Sequence, residues 1–111
     1  MTPIKWEIWF VDMPFEEEIG SKPRPVLVLI TNEENIVVGK MTTHLPRSES
    51  PYEYQLIDWR GAGLTCQTTL RLSKLARISS TCFIKKIGVI QPVDQINVYS
   101  LLQQIIKDKQ K

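Results

Sequence analysis

The sequence predicts a mainly β fold, a small barrel of short strands with one C-terminal helix. Three observations carry that expectation. Short runs rich in β-branched and aromatic residues recur between turns marked by proline, glycine and asparagine. One of them, PVLVLI from Pro25, is apolar throughout, as a core strand is. Near Pro92 the apolar spacing then becomes helical.

The first strand is expected over Glu7 to Met13 and ends at Pro14. The acidic stretch through Gly20 to Pro23 reads as a loop. A second strand runs from Pro25 to Thr31, with Pro25 tolerated only at its first position, where a missing N–H does no harm. Asn32 to Asn35 is a polar turn, and a third strand follows over Ile36 to Thr43. His44 to Pro51 has two prolines and two serines and reads as a loop. Tyr52 to Ile57 alternates as a fourth strand does. Asp58 to Gly63 holds two glycines and is expected to be a turn or one short helical turn. Two more strands are expected over Thr68 to Ile78 and Ile84 to Ile90, joined by Ser79 to Phe83. In the tail, Val98, Leu101, Leu102 and Ile105 form a helical stripe flanked by Tyr99 and Ile106. Pro92 suits the first turn and Asp94 its positive end, while Lys107, Lys109 and Lys111 suit the other end.

The chain has 111 residues, which fits a single domain over 1–111. It holds no apolar run near the roughly 18–20 residues that cross a bilayer. MTPIKWEIWF places Glu7 and bulky aromatics where a secretory signal has a plain apolar stretch, so a cytoplasmic location is expected. Cys66 and Cys82 form no ligand cluster and no CxxC pair, and are expected to be reduced, partly buried thiols. With one histidine in the chain, no metal site and no cofactor are expected. The net charge is +2, but ten of the twelve acids lie within residues 1–58. Residues 59–93 carry none, against Arg60, Arg71, Lys74, Arg77, Lys85 and Lys86. Such a segment either faces an anion or scatters its charges into water.

Three places could carry chemistry. Arg24 stands between Pro23 and Pro25, held extended by stiff neighbours, and a guanidinium so placed can pair with a phosphate. An ordinary surface arginine is the competing reading. MTTHLPR gathers Thr42, Thr43, His44 and Arg47 where a strand runs into a loop. His44 alone has an unperturbed pKa near neutrality, and a plain loop histidine is its competing reading. Along TTLRLSKLARI, alternation sends Thr69, Arg71 and Ser73 to one face, either a polar exterior or a row that receives a nucleic-acid backbone. No Ser/His/Asp set and no glycine-rich phosphate loop is present. RNA cleavage remains feasible, because the 2′-hydroxyl is its own nucleophile and the protein need only orient it, move protons and stabilise charge.

At these residues the sequence resembles the MazF/PemK toxin family, a type of toxin from type II toxin–antitoxin pairs. EIWFVDMPF is similar to the opening strand, KPRPVLVLI to the K-x-R-P-hydrophobic strand, and MTTHLPR to the threonine-containing third strand. GLTCQTTLRLSKLARI and KKIGVIQPVDQINVYSLL resemble the later strands and helix. The resemblance implies a CcdB/Kid/MazF-like barrel, similar to Src-homology-3 barrels. It implies metal-independent cleavage of single-stranded RNA, a homodimer, a cognate antitoxin and growth inhibition. It gives Arg24 and Thr42 catalytic roles, with Thr43 the alternative if the register slips and His44 a substitute for proton transfer. Lys22, Arg47, Arg71 and Ser73 would contact RNA. Two departures stand out: Ser73 occupies the place of an aspartate found in some members, and Trp6 that of a frequent glycine. A non-catalytic RNA- or protein-binding module is the alternative. A gyrase poison of the CcdB type is disfavoured, since the chain finishes KDKQK rather than Trp-Gly-Ile.

Overall fold

The computed structural model describes residues 2–12, 23–32, 35–46 and 51–110. Six strands form one antiparallel sheet: β1 (Glu7–Asp12), β2 (Pro23–Thr31), β3 (Ile36–Thr42), β4 (Glu53–Gln55), β5 (Thr69–Ile78) and β6 (Phe83–Val89). A 3-10 turn at Ser80–Cys82 joins β5 to β6, and α1 (Pro92–Lys109) ends the fold. The order across the sheet is β4-β5-β3-β2-β1-β6. The strands do not close into a cylinder, so the expected barrel is an open sheet with β4 and β6 at its edges.

Strand alternation gives the sheet two apolar faces. One carries Ile8, Leu27, Leu29, Met41, Leu70 and Leu72, packed with Val98 and Ile105 of α1. The other carries Trp9, Val11, Val26, Val28, Ile36, Val38 and Ile78. The expected helical stripe faces the core: Val98 and Ile105 are buried and Leu101 and Leu102 partly so, while the flanking Tyr99 and Ile106 are exposed. Each fully buried Val, Leu or Ile stabilises the fold by about 1.5–3 kcal/mol.

The ends of β3, β5 and β6 lie one residue from expectation, and three differences are larger. β2 starts at Pro23, and Pro25 is its third residue rather than its first. Pairing of β2 to β3 begins only at Val26, so both prolines lie where β2 has a partner on one side alone. β4 is shorter than Tyr52 to Ile57 because Ile57 and Asp58 turn their N–H groups to Asp94, each at 2.9 Å. Asp94 sits in the first turn of α1 as expected, yet it is fully buried and ties the helix to the chain after β4. β5 slips against β3: Gly39 pairs with Leu75, but Lys40 pairs with Arg71. Residues 72–74 therefore have no β3 partner. Leu70 and Leu72 then serve one apolar face and Ile78, of the same parity, serves the other.

Trp6 has φ 77°, a left-handed conformation that glycine adopts without strain. Its N–H donates to Val28 and its carbonyl accepts from Ile90, which fixes the backbone there. A frequent glycine at this position thus has a physical reason. Of the two thiols, Cys82 is partly buried but Cys66 is exposed, against expectation, because it lies in the coil before β5 rather than in a strand.

Candidate functional site

Residues paired directly across an antiparallel ladder share a face. One row therefore runs Trp9, Val26, Lys40, Arg71, Glu53 across β1, β2, β3, β5 and β4. It starts apolar and ends charged. Two residues along each strand, the next row holds Thr42, Thr69 and Gln55. On β2, the register that sets Val26 against Lys40 brings Arg24 opposite Thr42 when continued by two residues, and Arg24 is paired with Val11 on its other side. Arg24 and Thr42 thus occupy neighbouring strands on one face, at the polar end of the apolar surface built by Trp9, Val11 and Val26. Both are half-buried.

Thr42 closes β3, and its Oγ1 accepts the His44 N–H at 3.3 Å. Thr43 and His44 lie beyond the strand and are exposed. Thr43 falls on the opposite face from Thr42 and lines a cleft with Phe10, Pro25, Leu64, Cys66 and Ile87. Lys22 and Arg47 lie outside the described residues.

Arg71 is on the same face as Arg24, and its Nε donates to Glu53 Oε2 at 2.9 Å. The Glu53 side chain is only 2% exposed and that of Arg71 13%. Ser73 does not continue this row. It stands exposed in the β5 bulge and lines a separate groove with Tyr52, Leu72, Leu75, Ile105 and Lys109. The expected polar line Thr69–Arg71–Ser73 is broken because alternation fails where residues leave the ladder.

Three of the six cations in the acid-free stretch are engaged by other side chains. Arg71 goes to Glu53, Lys86 to Glu7 at 2.8 Å, and Arg60 lies over the Trp59 ring at 4.9 Å. Burial alone would raise the Glu7 carboxyl, but hydrogen bonds from Lys86, the Ile4 N–H and Trp9 Nε1 outweigh it and hold the group below the usual carboxylate value. On the far side of the molecule, burial and the hydrogen bond to Asp94 push the Tyr54 phenol up to about 12. Among the described residues, no group of three or more His, Cys, Asp or Glu side chains is placed to hold a metal ion. No helix there is long and apolar enough to cross a membrane.

Lys40 and Glu53 are the residues that sequence reasoning passed over. Glu53 carried a signal: it alternates with Gln55 in the fourth strand and so shares its face. Lys40 carried the same kind of signal, two residues before Thr42 in the third strand, but only the pairing of β3 with β5 sets it beside Arg71.

The sequence matches the family described as PemK-like, MazF-like toxins of type II toxin–antitoxin systems over residues 4–106. No curated protein matches it at a comparable level. Among solved structures, an endoribonuclease from Mycobacterial species in complex with its cognate antitoxin superposes with a TM-score of 0.75 at 13% identity, covering 96% of each chain. A second mycobacterial endoribonuclease gives 0.72 at 13% identity, covering 95% of this chain and 91% of its own. The Mycobacterium tuberculosis toxin MazF-mt6 gives 0.69 at 19% identity, covering 91% and 96%. At these identities the likeness is one of fold.

Proposed function

This chain belongs to the PemK-like, MazF-like family of type II toxins, and from that premise we propose that it is a metal-independent endoribonuclease acting on single-stranded RNA. The observation that carries the reading is the sharing of one sheet face by Arg24 and Thr42 on adjacent strands. A guanidinium and a hydroxyl so placed can hold one phosphodiester between them. The ribose 2′-oxygen then attacks the neighbouring phosphorus and gives up its proton. The bond from phosphorus to the 5′-oxygen breaks, and that oxygen takes a proton as it leaves. One product ends in a 2′,3′-cyclic phosphate and the other begins with a 5′-hydroxyl. Arg24 offsets the charge that grows on the phosphorane oxygens. His44, two residues beyond Thr42, is assigned the proton transfer.

The test is cleavage of mixed single-stranded RNA by purified protein in EDTA, with the ends mapped. Arg24→Ala and Thr42→Ala are each expected to lower the rate about a hundredfold or more. His44→Ala is expected to change the pH dependence of the rate; an unchanged profile removes His44 from the mechanism. Wild-type protein that leaves RNA intact under these conditions overturns the nuclease reading. The second reading, a module that binds RNA or protein without cutting, is favoured by Ser73, which stands in the place of an acidic residue and points away from the Arg71 face.

The partners follow from the same premise. One structural neighbour was solved with its cognate antitoxin, and this chain is proposed to bind one as well. It is further proposed to act as a cytoplasmic homodimer that slows growth when the antitoxin is absent.

A further inference from the structure

At the polar end of the sheet face, cationic side chains stand beside a buried carboxylate. Lys40, Arg71 and Glu53 share one row, and Arg24 lies in the next. A buried arginine–glutamate pair is a poor way to stabilise a sheet, because desolvating both charges offsets most of their attraction. Apolar side chains there would simply extend the surface of Trp9 and Val26. What the pair does provide is orientation. Glu53, almost wholly buried, takes the Nε of Arg71 at 2.9 Å. A guanidinium fixed through Nε keeps both terminal nitrogens for a further acceptor. Arg71 is still partly open to solvent, and Lys40 lies directly across the ladder from it.

The row of Lys40 and Arg71 stands one two-residue strand repeat from the row of Arg24 and Thr42, about 7 Å along the strands. One nucleotide of unstacked backbone spans a distance of that order. We propose that Lys40 and the Glu53-held Arg71 form a second phosphate subsite, which grips the phosphodiester adjoining the one at Arg24 and Thr42. This rests on the nucleic-acid reading of the site. Lys40 touches the substrate, whereas Glu53 is a positioning residue that acts through Arg71.

The probe is a short fluorescent RNA carrying a single 2′-deoxy residue at its cleavage site, so that it binds without being cut. Its affinity is measured by anisotropy across a potassium chloride series. Lys40→Met is expected to bind about tenfold more weakly, the loss of one charged hydrogen bond. Its slope of log affinity against log salt is expected to fall by about 0.7, the share of one phosphate contact on a single strand. Lys40→Arg is expected to restore both. In wild type, a neutral methylphosphonate at one linkage beside the cleavage site is expected to cost a similar factor. That penalty shrinks in Lys40→Met and in Glu53→Gln, each of which leaves one of the two cations in place or in poorer aim, but keeps its full size in Arg24→Ala. A general loss of packing in Glu53→Gln would not shrink a penalty at one linkage. A Lys40→Met protein with the wild-type salt slope, or with the full wild-type methylphosphonate penalty, overturns the subsite. Wild-type protein that binds single-stranded RNA with a salt slope that falls in Lys40→Met, but never cuts it, overturns the nuclease reading and leaves the subsite standing. Failure of wild type to bind any RNA overturns both.

Discussion

A β-carbon on Gly88 would meet the carbonyl oxygen of Ala62 at 2.0 Å. Those are backbone atoms of a hydrogen-bonded turn and cannot rotate away. At Gly39 the nearest atom is the Leu70 Cδ1 at 2.9 Å, the end of a flexible side chain. Gly88→Ala is therefore expected to lower stability by about 3 kcal/mol, and Gly39→Ala by clearly less. Urea midpoints of the two variants check the order. Asp94 is the other residue on which much depends. Its carboxylate accepts from the Tyr54 hydroxyl and from the N–H groups of Ile57 and Asp58. Tyr54 pushed up to about 12 gives a pH dependence whose sign is fixed. Between about pH 10 and that value the unfolded phenol loses its proton while the folded one keeps it. The folded state then binds more protons, so stability is complete below pH 10 and falls as pH rises through the window. Tyr52, raised by its hydrogen bond to Asp108, acts in the same direction. Unfolding followed from pH 9 to 12 is expected to show this decline, and Tyr54→Phe to flatten it.

At the scale of elements, period and turn residues were enough to place every strand of the described residues and the helix. The failures came where one element answers to another. After Leu56, whose N–H still donates to Thr68, a carboxylate on α1 takes the next two N–H groups and turns the chain away, a contact between residues 36 and 37 positions apart. β5 switches faces at residues 72–74, and nothing in TTLRLSKLARI marks the slip. That slip also explains the partial legibility of the site. Arg24, Thr42 and Arg71 were readable from motif and position and do share a face. Alternation predicts Ser73 in the same row, which it leaves at the slip, and Lys40, two residues before Thr42, comes beside Arg71 through a register that tertiary pairing decides. The helix allows a direct test of the packing. A chain ending at Gln91 lacks Val98 and Ile105, which belong to the same buried cluster as Ile8, Leu27, Leu29 and Met41. It is expected to lose cooperative thermal unfolding and to bind a hydrophobic dye such as ANS, as loosely packed states do.

For the whole molecule, the controlling fact is that the first strand pairs with the last. β1 lies between β2 and β6, so the sheet is complete only when residues 7–11 meet residues 83–89. Contacts of that sequence separation are slow to form, since loop entropy is lost before any contact compensates for it. Refolding from urea, followed by tryptophan fluorescence, is expected in the millisecond-to-second range typical of such sheets, and microsecond refolding would contradict this topology.

The same arrangement matters while the protein is being made. A ribosome delivers the chain amino end first, so β1, β2 and β3 emerge long before their remaining partners. Through most of synthesis β1 offers an open edge, and Leu27, Leu29 and Met41 face water with no helix above them. Such intermediates attract chaperones and each other. Any activity that depends on the finished sheet is therefore withheld until β6 has left the ribosome and paired with β1.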